Sequence, residues 1–138
     1  MKAFATLIRR PLPIVLALVC LGTPALAIEF LQDVPKAYPT LFRSYQAMLP
    51  KEFAAQAWLY RLDGVTLSVA ENIMIDGVPH LRAYGCKRHF CGDNQVSLIF
   101  SSDGKTGAVK LRSELTDGKP VYYGSGDPAL RRIIDRDL

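Results

Sequence analysis

Along this chain the spacing of apolar residues changes from an unbroken run to a helical period, then to a period of two, then back to helical. The run comes first. Lys2, Arg9 and Arg10 precede the apolar residues 14–21, and Ala25-Leu26-Ala27 follows them. The run is too short to span a bilayer as a helix. A basic start and a small-x-small end mark residues 1–27 as a secretory signal peptide, expected to be cleaved. Residues 28–35 read as an extended lead-in. From Pro39, which suits a first helical turn, Leu41, Phe42, Tyr45, Met48 and Leu49 recur at helical spacing, with Arg43, Ser44 and Gln46 opposite. Pro50 ends that helix and begins a second short one, with Phe53, Ala57 and Trp58 on one side. Aromatic stripes of this kind are core material. Asp63-Gly64 breaks the helical pattern.

Period two then takes over. Val65, Leu67 and Val69 alternate with Thr66 and Ser68, and Ile73 and Ile75 continue the alternation to Asp76-Gly77, a hairpin signal. On the returning strand His80, Arg82 and Tyr84 share one face and Leu81 and Ala83 the other. Beyond Gly92-Asp93-Asn94, Val96, Leu98 and Phe100 alternate with Gln95, Ser97 and Ile99. Ser102-Asp103-Gly104-Lys105 turns the chain into a strand at 106–112, and Asp117-Gly118 turns it into a short one at 121–123. Asp127 and Pro128 open a final helix with Leu130, Ile133 and Ile134 as its apolar stripe and Arg131, Arg132 and Arg136 outward. Helices, about five strands joined by hairpin-length turns, and a helix predict an α+β fold on an antiparallel sheet. Residues 28–138 are one domain's length.

Charge alters this picture little. The whole chain is +4, but three of its 17 basic residues and none of its 13 acidic ones fall within 1–27, so residues 28–138 carry only +1. The basicity belongs mostly to targeting, and nucleic acid is not implied as a partner. Nor is a membrane, once the signal is removed.

The cysteines alter it more. Cys20 leaves with the signal, and Cys86 and Cys91 remain, enclosing Lys87, Arg88, His89 and Phe90. An even pair in an exported chain favours a disulfide. A metal site on the two cysteines with His80 and His89 is the sharper alternative, but the four-residue spacing is wide for a chelating pair. A catalytic dithiol would have two intervening residues rather than four. No Ser/His/Asp set, phosphate-binding glycine loop or helically spaced carboxylate pair stands elsewhere. The expectation is therefore a binding protein, not an enzyme, with no cofactor and no metal. A six-residue ring adds only roughly 2 kcal/mol by loop entropy, so its service is local: it holds the four enclosed residues in one shape.

The loop Cys86-Lys87-Arg88-His89-Phe90-Cys91 resembles the Cys-Lys-Pro-His-Asp-Cys loop of the inhibitor of vertebrate lysozyme family, periplasmic proteins of Gram-negative bacteria. The likeness extends to Trp58-Leu59, the Ile73–Gly77 hairpin, Gly92-Asp93-Asn94, the turn at 100–105 and Tyr123-Gly124. Arg88 stands where the family usually has proline, and Phe90 where it usually has aspartate. The resemblance implies a periplasmic inhibitor of c-type lysozyme, a peptidoglycan-cleaving glycosidase. The disulfide-closed loop would protrude from the sheet and enter the active-site cleft. His89 would reach the catalytic carboxyl groups, with Lys87 a supporting cation and Cys86 and Cys91 the frame. The alternative is the same fold on another peptidoglycan-cleaving enzyme, such as a lytic transglycosylase, or on another cell-wall partner. Association into a homodimer is also open.

Overall fold

A computed structural model describes residues 30–137; the expected signal peptide lies outside them. Five strands, β1 (Val65–Ile75), β2 (Val78–Lys87), β3 (Gln95–Ser101), β4 (Gly107–Arg112) and β5 (Val121–Gly124), form one antiparallel sheet whose spatial order is the chain order. Helices α1 (Val34–Ala37), α2 (Pro39–Met48) and α3 (Ala57–Tyr60) precede the sheet, and α4 (Pro128–Ile134) follows it. The fold class expected from the pattern is the one observed.

Both sheet faces are covered. On one, Leu31, Leu41, Tyr45, Trp58 and Leu59 meet Leu81, Val96, Leu98, Phe100 and Leu111 in the main core. Tyr45 is fully buried and its hydroxyl donates to Leu59 O at 2.5 Å; burial holds the phenol well above its usual range. On the other face Leu130 and Ile134 of α4 lie on Ile99 and Ala108, flanked by Ile73 and Ile75. Central strand β3 therefore buries both of its sides: Val96, Leu98 and Phe100 on one, and Ile99 between the small polar residues Ser97 and Ser101 on the other. Asp127 caps α4, its carboxylate accepting from Ala129 N at 2.8 Å. Tyr122 and Lys110 both reach Asp135, the turn that follows α4, and the Tyr122 hydroxyl is the larger cause that holds this carboxyl below its usual value.

Three local expectations need correction. The lead-in is not extended: residues 31–33 form a 3-10 turn that runs into α1, with Pro35 in the first turn, and Leu31 and Val34 are fully buried. The second short helix is two pieces, a 3-10 helix at 51–55 and α3, broken at Gln56. The third correction is in β1. Pairing runs from Ile75 opposite Val78 back to Val69 opposite Tyr84, then resumes at Thr66 opposite Cys86. Leu67 and Ser68 thus face Gly85 alone, a β-bulge. The bulge reverses which side points in, so Val65, Ser68 and Ala70 are buried while Leu67 is 75% exposed. It also lets one strand supply both cores: Val65 and Ala70 to the first, Ile73 and Ile75 to the second. Gly85 opposite gives the bulge room, because a Cβ there would lie 3.1 Å from both Ser68 Cβ and Val65 Cγ1, closer than ordinary contact.

Candidate functional site

Strand β2 delivers the loop. Its partner turn is Asp76-Gly77, both at positive φ (49° and 78°), the conformation of a type I′ hairpin turn. The strand then carries Arg82, Tyr84 and Cys86 toward the opposite end of the sheet. Cys86 is bonded to Cys91, with Cα atoms 4.9 Å apart. Inside the ring Phe90 N donates to Lys87 O at 2.9 Å, and Asn94 N closes back on Phe90 O at 3.0 Å while Lys87 N donates to Asn94 O at 3.0 Å. His89, at φ 68°, takes the left-handed position, which histidine tolerates better than most residues. The result is a tight turn with Arg88, His89 and Phe90 as three consecutive exposed residues.

The four enclosed side chains have different surroundings. Lys87 is half-buried; its ammonium pairs with Glu114 at 3.1 Å and lies 5.0 Å from the centre of the Phe90 ring. Its charge is spent within the chain. Arg88 has no side-chain ion pair among the described residues. Its backbone N–H donates to Gly64 O at 3.0 Å, which ties the loop to the segment entering β1. Proline could not make that bond, so the backbone N–H of Arg88 is part of what fixes this loop. His89 has no side-chain hydrogen bond among the described residues. Phe90 is 56% exposed.

Below the ring a charged network fixes the base of the loop. Arg82 donates to Glu71 at 2.5 Å and, twice, to Asp137, and Ser97 Oγ donates to Asp137 at 2.5 Å. The Asp137 side chain is fully buried. That bond to Asp137 is the chief reason the guanidinium is held above its usual value. Asp137, Tyr84, Cys86 and Cys91 all line one small cavity of about 140 Å³ under the disulfide.

The metal alternative loses its thiols, since Cys86 and Cys91 are bonded to each other. His80 lies near the far end of β2, buried, with Nδ1 2.9 Å from Val78 O; it does not meet His89.

Sequence reasoning missed Leu67. At φ 44° it occupies the bulge position that usually holds glycine in the left-handed conformation. A non-glycine residue there costs about 1–2 kcal/mol. Leu67 lines the cavity under the disulfide and also a second, open cleft of about 480 Å³ shared with Phe30, Gln32, Thr66 and Arg88. No glycine marked the bulge, and the Val65/Leu67/Val69 alternation concealed it.

Reducing the disulfide is expected to loosen this turn more than the domain, with a loss of roughly 2 kcal/mol in global stability. Amide exchange with and without reductant checks this: protection should fall at residues 87–94 and persist in β3 and β4.

No family model matches the chain, and no curated protein matches it.

Proposed function

We propose that this chain is a periplasmic inhibitor of c-type lysozyme, exported by residues 1–27, which inserts its disulfide-closed turn into the glycosidase cleft. The observation that carries the reading is the presentation of His89: solvent-exposed, centred between Arg88 and Phe90, on a turn held by a disulfide and by hydrogen bonds on both sides. A retaining glycosidase works with two carboxyl groups flanking the scissile bond. An imidazole placed between them donates one hydrogen bond when neutral and two when protonated. Bonds to an anion in a water-poor cleft are strong. A turn already fixed loses little conformational entropy on docking. The chain itself performs no catalysis in this reading; it occupies a catalytic site.

The test is a titration of c-type lysozyme with the 28–138 protein, reading residual cell-wall hydrolysis. A stoichiometric fall in activity is expected, and the protein alone should release nothing from cell walls. A flat titration with every lysozyme tried would end the reading.

One observation favours a second target. Phe90 stands where the resembling loops have an acid, and it is exposed beside a lysine already paired with Glu114. Another peptidoglycan-cleaving enzyme, such as a lytic transglycosylase, would accept it if its cleft had an apolar lip. The same titration against such an enzyme distinguishes the two.

A further inference from the structure

We propose that the partner engages this chain at a second place beside the loop: the open cleft at the β1 bulge, where an acidic side chain from the rim of the glycosidase cleft seats on Arg88 between Leu67 and Phe30. This rests on the inhibitor reading, and it names a further part of the surface that reading uses.

Leu67 supplies the first argument. It holds a left-handed backbone at a bulge position suited to glycine, yet 75% of it is exposed, so the side chain gains little from packing within the chain. Phe30, on the same cleft, is 45% exposed. Two exposed apolar side chains thus border one cleft, where a partner would take both out of water.

Arg88 supplies the second. Of the two loop cations, Lys87 is neutralised by Glu114, while Arg88 lines the cleft without an ion-pair partner among the described residues. Asp63 lines an adjoining cleft that Arg88 also borders, and the two form no ion pair. A guanidinium between aliphatic and aromatic walls matches a carboxylate on a short apolar stem, with the fork on the oxygens and the walls on the methylenes. The Gln32 amide lies within the same lining as a further polar group.

Continuity supplies the third. Arg88 is the neighbour of His89, and the bond from its N–H to Gly64 O fixes the loop against the start of β1. The two contacts therefore keep one spacing, and a partner that takes His89 meets the cleft without rearrangement.

The experiment measures inhibition constants against one c-type lysozyme at low and moderate salt, and thermal midpoints, for the parent, Leu67→Gly, Arg88→Ala, Arg88→Lys and His89→Ala. Leu67→Gly should raise the midpoint, by relieving the backbone, while weakening inhibition about tenfold. That opposition is a signature no purely structural residue gives. Arg88→Ala should weaken inhibition about tenfold and flatten its salt dependence, and Arg88→Lys should restore part of both. If Leu67→Gly and Arg88→Ala inhibit like the parent while His89→Ala does not, the second contact is overturned and the inhibitor reading stands. A lowered midpoint for Leu67→Gly overturns it too, because Leu67 would then be packing for the fold. A parent that neither binds nor inhibits overturns both.

Discussion

Replacing Arg82 with methionine is expected to lower the unfolding free energy by about 3 kcal/mol. The size follows from what is left behind. Asp137 has a fully buried side chain, and among the described residues Arg82 is its one cation and Ser97 its one other side-chain donor. An uncompensated buried anion is far costlier than the lost pair is favourable. The double change Arg82→Met with Asp137→Leu should recover most of the loss, because it removes the charge together with its partner. Urea midpoints at constant m-value measure both. A single-variant loss below about 1 kcal/mol would show that the turn bearing Asp137 swings into water at little cost. Since Asp137 also lines the cavity under the Cys86–Cys91 bond, such release would reach the base of the loop.

His89→Ala should weaken target binding by roughly 2 kcal/mol, about thirtyfold in Kd, with the fold intact. An imidazole at the centre of a cleft, bonded to a carboxylate and shielded from water, has the attributes of a hot spot. Position 89 is left-handed, so His89→Asn is the better-matched second variant: asparagine tolerates that backbone and cannot carry the charge. His80→Ala is unsuitable as a control, because His80 is buried and its ring reaches Val78 O; exposed Arg132 on α4 serves instead. Calorimetric titration of each variant gives the constants. Parental binding by both position-89 variants would mean that the turn does not enter the target.

Much of this architecture is legible from residue order. Asp76-Gly77 between two alternating runs specifies a hairpin, and the hairpin is there in the turn type that Asp-Gly favours. Pro39, Asp127 and Pro128 mark helix starts where helices start. The two cysteines, with their four enclosed residues, could be picked out because parity and spacing are properties of sequence. Long-range packing was less legible. Leu67 looks like an inward residue of a regular strand, and only the pairing of β1 against Gly85 turns it outward. His80 shares its strand face with Arg82 and Tyr84, a polar set that reads equally as surface or structural, yet it is buried. Lys87 and Arg88 are alike as letters, and the difference between them is made by Glu114, twenty-seven residues from Lys87. In each case a distant segment decides what a locally ambiguous residue does.

The sheet order has a kinetic consequence. Each strand lies beside the one made just before it, so no strand waits for a later segment to be threaded between it and its neighbour. Such a meander has short loops to close and can be assembled progressively from β1 onward. Cys86 and Cys91 are five positions apart and lie at the end of the first hairpin. Local chain motion is enough to bring them together, without need of β4, β5 or α4. The ring can therefore be oxidised early and handed, already closed, to the rest of the domain as it condenses.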